Sequence, residues 1–293
     1  MSIISLLKFI TSHPLNRKNK AKAVLRFMKW QINARLNPYP IIYPFTENSQ
    51  LIIKKGMTGA TGNLYCGLHE FSDMGFLIHF LRKEDFFVDI GANIGSYTVL
   101  AGGHIGAKTF SFEPLPLTFS HLERNIAINQ MRKNVTAFNV ALGSEKGSIN
   151  FTKSFDTMNH VAVEGEPDSI SVPVDTLDNI LLNQEVPLLM KIDVEGFETE
   201  VIKGASNTLK QPGLKAIIIE LNGSGLRYGY DEANIHNTLI SLAFKPFVYD
   251  PEKRELTSVG TFNSHNTIYI RDLDFVQQRL KTASKLKVLD QVI

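Results

Sequence analysis

The chain has 293 residues, 43% apolar and 20% charged, with a net charge of only +2. That is enough to bury a full core as one α/β domain with an extension, and it excludes a disordered chain. A single cysteine, Cys66, excludes an intrachain disulfide and suits a reducing cytoplasm.

Charge is uneven along the chain. Residues 1–46 hold eight Lys or Arg and no acid, leaving about −6 for the remainder. Met1–Ile10 is too short to span a bilayer and lacks a basic leader or cleavage site, so no secretion signal is expected. Residues 17–36 predict an amphipathic helix. Ala21, Val24, Leu25, Met28, Ile32 and Leu36 fall near one stripe, with Arg17, Lys18, Lys22, Arg26, Lys29 and Arg35 mostly elsewhere. Two readings stay open: a packing helix with a solvated basic face, which is the commoner outcome, or a surface for anionic lipid or an anionic glycan carrier. Asn37-Pro-Tyr-Pro40 ends the helix.

Residues 51–53 read as a short strand, and the glycines at 56, 59, 62 and 67 predict a hairpin or loop over 54–67. Helical spacing returns over 70–81. Tyr65, His69 and Glu70 are placed to face a pocket, although ordinary polar roles are the simpler reading.

The organising stretch is Phe86-Phe-Val-Asp-Ile-Gly-Ala-Asn-Ile-Gly-Ser-Tyr-Thr98. Phe86–Asp89 predicts a buried strand, Ile90–Gly95 a glycine turn, and Ser96–Ala101 the start of a helix. That order builds a nucleotide site in open α/β sheets. Gly91 allows φ > 0 and close backbone approach, and the N–H groups of Gly95, Ser96 and Tyr97 can receive a carboxylate or phosphate. The dinucleotide fingerprint needs a glycine where Asn93 stands, and a side chain there crowds a pyrophosphate. Asp89 can take an ammonium instead. Glu113 closes a second apolar run roughly 20 residues on, where an acid takes ribose hydroxyls. A ligand with an amino-acid end and a ribose is S-adenosylmethionine rather than a nicotinamide dinucleotide. Its predicted contacts are Asp89, Gly91, Ala92, Asn93, Gly95, Ser96 and Glu113.

Strands over 107–112 and 135–140 flank a helix over 116–129, which implies right-handed crossovers and a mostly parallel sheet. Asn139 and Ala141, at the third strand's exit, are candidates to meet the adenine. Residues 144–174 break the rhythm with two alternating runs around His160, Glu164 and Asp168. An excursion of that size reads as a wall of the acceptor pocket. His160 stays outside the predicted site.

A short helix over 175–182, with Asp175 as its N-cap, precedes the apolar strand 187–192. Asp193-Val-Glu-Gly-Phe-Glu-Thr-Glu200 then opens the next helix. Alternation puts Lys191 and Asp193 on one face, at the strand end where ligands bind. Asp193 and Glu195 are therefore catalytic candidates, with Asp193 also touching the cofactor. Acids also enrich first turns by offsetting the helix dipole, so a capping role competes. Further on come a strand over 215–220, a glycine loop in which Glu220 and Asn222 can face the acceptor, and a helix over 231–243 capped by Asp231. Two strands, 245–250 and 266–271, are joined by a long turn, and a basic helix follows.

Asp89-Ile-Gly-Ala-Asn-Ile-Gly-Ser-Tyr-Thr98, Phe112-Glu-Pro114, Val140-Ala-Leu-Gly143 and Lys191-Ile-Asp-Val-Glu-Gly-Phe-Glu198 together resemble the FkbM family of S-adenosylmethionine-dependent methyltransferases, over about residues 50–272. The resemblance implies O-methylation of hydroxyls, commonly on sugars or polyketide-like acceptors, and it favours the functional reading of Asp193. The expectation is a Rossmann-like class I methyltransferase fold, with a mostly parallel seven-stranded sheet, helices on both faces and an N-terminal helical extension. The divisions are a basic extension (1–50), a lead-in segment (51–85), the methyltransferase domain (86–272) and a C-terminal helix (273–293). Asp193 is expected to take the acceptor's proton, with Glu195 second. Two hard oxygen ligands do not establish a metal, so none is expected. The expected partner is a small-molecule or glycan acceptor with a free hydroxyl, not nucleic acid. The expected location is cytoplasmic, with contact at the inner face of the membrane left open as the second reading of the basic helix. A nicotinamide-dependent oxidoreductase and a non-catalytic glycan-binding scaffold are the competing readings.

Overall fold

The computed structural model describes residues 2–153, 159–163, 165–166 and 168–293, so Glu164 of the predicted excursion lies outside the described residues. Two helices open the chain, α1 (Ile3–Ser12) and α2 (Lys20–Leu36), capped by the side chains of Ser2 and Asn19. Helix α2 docks through Ala23, Phe27 and Trp30 rather than through the predicted stripe. Its largest apolar side chains decide which face is buried, and the Phe27 ring lies 5.3 Å from that of Tyr65. A hairpin follows, β1 (Ile41–Thr46) and β2 (Ser49–Ile53). Its first strand went unpredicted because it contains Pro44, which only an edge strand tolerates. The expected glycine loop is a helix, Thr58–Cys66. Gly62 belongs in it because a Cβ there would come within 2.6 Å of the His69 ring. The next helix, Phe71–Phe80, lies where its spacing predicts.

The parallel core then builds up as β3 (Phe86–Ile90), β4 (Lys108–Phe112) and β5 (Val135–Phe138). The helix after β3 runs only from Ser96 to Thr98 before widening into a π-helix over Val99–Ile105. Gly102 and Gly103 in that wide turn lie so close to Val135 and Met131 that a Cβ would come within 2.3 and 2.8 Å of them. A separate three-stranded sheet holds β6 (Ala141–Leu142), β7 (Gly147–Thr152) and β8 (Ser169–Asp175). The helix Leu177–Ile180 is capped by Thr176, not Asp175, whose carboxylate instead accepts from the Thr176 N–H at 2.8 Å.

The main sheet resumes with β9 (Leu189–Ile192) and β10 (Ala216–Glu220), then β11 (Lys245–Asp250), β12 (Glu255–Ser258) and β13 (Asn266–Ile270). Eight strands run in the order β12-β11-β13-β10-β9-β3-β4-β5, one more than predicted. The addition is β12, which the long turn between β11 and β13 conceals and which pairs antiparallel with β11. The five strands from β10 to β5 are parallel, and β13 and β11 continue the sheet antiparallel. Parallel strands are covered on both faces, which is why Phe86–Ile90 and Ala216–Ile219 are fully buried. Phe87, Leu189 and Ile218 join the core on one face, while Val88, Met190 and Ile217 join the core on the other. The C-terminal helix stops at Lys281. A small hairpin, β14 (Lys287–Val288) with β15 (Gln291–Val292), replaces its predicted continuation.

Candidate active site

Strand order reverses between β3 and β9: the chain winds outward through β4 and β5 on one side and through β10 on the other. A crevice at such a switch point is where an open α/β sheet holds its ligand. Asp89 pairs in register with Lys191 across this junction, so the glycine-turn motif and the acidic motif are spatial neighbours.

The glycine turn is a closed hydrogen-bonded unit. The N–H groups of Gly91 and Ala92 donate to the Phe112 carbonyl at 3.0 and 2.9 Å, and that of Gly95 to the Ala92 carbonyl at 2.8 Å. Asn93 N–H donates to Glu113 Oε2 at 3.1 Å, and Ile94 N–H to the Asn93 side chain at 2.7 Å. Every N–H from 91 to 95 is therefore taken, Gly95 included, contrary to the prediction that it receives the ligand. A pyrophosphate would find no donors in this turn. Gly91 also has a different task from the one predicted. At φ +77°, a Cβ there would stand 1.8 Å from the Asp193 carbonyl oxygen, so the glycine lets the two motifs touch.

The second motif does not open a helix at Asp193. The helix starts at Glu198, and residues 193–197 form a tight turn with Glu195 at φ +56° and Gly196 at φ +104°. The buried Glu198 carboxylate ties this turn by accepting from the N–H groups of Val194 and Gly196 at 3.0 and 3.2 Å. Gly196 lies against Ser224, whose carbonyl a Cβ would approach to 2.6 Å, and Arg227 donates to the Glu195 carbonyl at 3.0 Å. The turn thrusts Asp193 and Glu195 toward Glu220 at the end of β10, and one oxygen of each carboxylate lies within 4.8 Å of the others.

Electrostatics follow from this crowding. Lys191 Nζ meets Asp193 Oδ2 at 2.8 Å and sits 4.8 Å from the centre of the Tyr97 ring. Burial alone would discharge that ammonium, but Asp193, Glu70 and Asp89 hold it above its ordinary range. Burial and the nearby Asp193 charge raise Glu195 to about 7 and push Glu220 further up. Glu113 is also raised to about 7, chiefly by burial. Asp89 is pushed up by burial, and its Oδ1 has no hydrogen-bond partner, while Oδ2 accepts from Thr98 at 2.6 Å.

A cavity of about 260 Å³ collects these groups. Of the predicted cofactor contacts, Asp89, Gly91, Ala92, Asn93, Ser96, Glu113, Ala141 and Asp193 line it. Gly95 lies behind the wall, and a Cβ on it would come within 2.6 Å of Leu122. Asn139 is a strut: its amide donates to the carbonyls of Glu113 and Pro114 at 2.9 and 2.8 Å. Both catalytic candidates line the cavity, as do His69, Glu70 and Glu220. Tyr65 does not, for its hydroxyl is engaged by Gln31 at 2.9 Å. Asn222 caps its own loop through the Ser224 N–H at 2.9 Å. Phe151 and Asn159 bring the predicted excursion to the wall, while His160 is buried beside it, 3.1 Å from Glu166. Sequence reasoning missed Asn63, which lines the cavity and donates to the Ser96 hydroxyl at 3.0 Å. Its glycine-rich setting reads as a loop and conceals the helix that carries it.

Residues 89–246 match the model of the methyltransferase FkbM domain, more than half of the chain. The chain is 30% identical over 148 residues to the hexuronic acid methyltransferase AglP of Haloferax volcanii, a match that covers 50% of this chain and 59% of that protein. It is 27% identical over 192 residues to methyltransferase sdnD of Sordaria araneosa, covering 54% of this chain and 74% of the relative. A solved structure, methyltransferase FkbM from Methylobacillus flagellatus, aligns at 17% identity with a TM-score of 0.46, over 72% of this chain and 52% of that one. Both motifs at the sheet's switch point fall inside the matched segment, and the chain belongs to the FkbM methyltransferase family.

Proposed function

We propose that this chain is an S-adenosylmethionine-dependent O-methyltransferase acting on a sugar hydroxyl of a glycan, polysaccharide or glycolipid. The observation that carries the reading is one cavity shared by Asp89 and Glu113 on the cofactor side and by Asp193, Glu195 and Glu220 on the other. S-adenosylmethionine is the methyl donor of the family, and it supplies a methyl group already made electrophilic by its sulfonium. The residues present fit it. Glu113 is placed to accept from ribose hydroxyls, and the unpartnered Asp89 oxygen suits an ammonium. Ser96 and Tyr97, which head the helix, would face the carboxylate.

The protein's remaining task is to hold an acceptor oxygen in line with the methyl group, at about 3–3.5 Å, and to remove its proton. The ion pair with Lys191 makes Asp193 a fixed acceptor of hydroxyl hydrogen bonds rather than the base. Glu195, raised to about 7, is matched to proton removal near neutrality and takes first place in that role. Glu220, raised further than Glu195, holds a proton and limits repulsion in the cluster. The hexuronic acid named for one relative supports a sugar acceptor. A lipid-linked sugar would bring the enzyme to the inner face of a membrane, where α2 would meet it.

The test is transfer of labelled methyl from S-adenosylmethionine to a panel of glycosides, with mass spectrometry of surface glycans from a deletion strain. Methylated sugar products, and a missing glycan methyl group in the deletion strain, support the reading. Cofactor binding without transfer to any hydroxyl would favour a non-catalytic scaffold.

A further inference from the structure

Helix α2 is apolar on two opposite faces, and the structure uses only one of them. Ala23, Phe27 and Trp30 are 1–7% exposed and anchor the helix to the body of the protein. Leu25, Met28, Ile32 and Leu36 are spaced as one stripe and are 50%, 51%, 57% and 80% exposed. The packing demand is met without them, so the apolar stripe that periodicity assigns to the core is on the surface. At helical spacing Lys22 and Lys29 border the stripe on one side and Arg35 on the other. Ile3 and Ile4 of α1 are exposed as well, at 69% and 80%.

The charged side chains of α2 itself are all basic: Lys20, Lys22, Arg26, Lys29 and Arg35. Lys22 and Arg17 are tied to Asp290 and Glu252 of the protein's own body. Lys8, Lys20, Lys29 and Arg35 form no ion pair among the described residues. A second copy of the chain would set these cations against one another. An anionic bilayer complements both features, since its headgroups meet the cations while the acyl boundary receives the stripe. No helix among the described residues is long and apolar enough to cross a membrane.

We propose that α2 lies in the plane of an anionic lipid surface, with Leu25, Met28, Ile32 and Leu36 inserted at the headgroup–acyl boundary and Lys29 and Arg35 among the phosphates. This deepens the reading of a membrane-linked acceptor and rests on it for its purpose, although lipid binding is measured without any methyl transfer. The experiment is co-sedimentation of the full chain with phosphatidylcholine vesicles, with and without phosphatidylglycerol. Binding is expected only to the anionic vesicles and is expected to weaken as salt is raised. Lys29→Glu should lower the partition coefficient at least about fivefold. The triple variant Leu25→Ser, Met28→Ser, Ile32→Ser should abolish binding. These side chains are at least half exposed, so far-ultraviolet circular dichroism and S-adenosylhomocysteine binding should match the wild type. Wild-type protein that stays in the supernatant overturns the proposal, as does a triple variant that binds like the wild type. So does a wild-type dimer that the triple variant turns into a monomer. Vesicle binding without cofactor binding would instead overturn the methyltransferase reading and leave the lipid surface standing.

Discussion

Replacing Lys191 by methionine is the sharpest probe of the site's electrostatics. The substitution keeps an unbranched apolar stem and removes the one lysine or arginine among the described residues that line the cavity. The Lys191 side chain is 4% exposed, and that of its partner Asp193 is 25% exposed. Breaking a buried pair by removing one partner costs about 3–5 kcal/mol, and the partial exposure of Asp193 places this case near 3 kcal/mol. For a chain of this size that is a Tm lower by about 6–12 °C. The folded-state pKa of Lys191 is raised, so its contribution is fully present below its unfolded value and constant from pH 5 to 8. In the variant Asp89, already pushed up by burial, loses its counter-charge and is pushed further. A carboxyl with a raised pKa costs stability as pH rises, so the deficit should be smaller at pH 5 than at pH 8. Adding Asp193→Asn should restore part of the loss, leaving the share that belongs to Asp89. Thermal melts of the wild type, both single variants and the double variant complete the cycle. A Lys191→Met protein that melts within a degree or two of the wild type, or purely additive effects in the cycle, would refute the coupling described here.

Gly91→Ala should destabilise the protein by about 2–4 kcal/mol in a denaturant titration, because its Cβ meets a backbone oxygen at positive φ. Gly56→Ala, at φ +93° with nothing within 4 Å, should cost only about 1–2 kcal/mol, and equal losses would contradict the close approach assigned to Gly91. With Glu195 raised to about 7 its basic form accumulates as pH increases, so kcat/KM on a glycoside acceptor should rise about tenfold from pH 6 to 8. Glu195→Gln should flatten that profile and lower turnover by about 10²–10⁴. A flat wild-type profile, with turnover lost only in Asp193→Asn, would return the base to Asp193.

The sheet was legible because its strands are continuous apolar runs ended by turn residues, and Phe86–Ile90 and Ala216–Glu220 lie within a residue of their predicted limits. The place of the acidic turn at the carboxyl end of its strand, beside the cavity, was legible, but its shape was not. Acids after a strand read as a helix start, and nothing local signals that Glu198 reaches back to tie residues 194 and 196. The same limit applies to Gly91, whose constraint is a carbonyl about a hundred residues away in sequence. Periodicity found the apolar stripe of α2 but could not say that Phe27 and Trp30, on the other side, would claim the core. Strand β12 was missed because a short polar edge strand carries little pattern of its own.

The central claim is that the cavity at the β3–β9 junction binds S-adenosylmethionine through Glu113 and Asp89, and titration calorimetry tests it most directly. Purified protein should bind S-adenosylmethionine and S-adenosylhomocysteine but not NAD, and Glu113→Gln should weaken both complexes at least about tenfold. Wild-type protein that takes up neither adenosyl ligand, or a Glu113→Gln protein that binds them as tightly as the wild type, would contradict it.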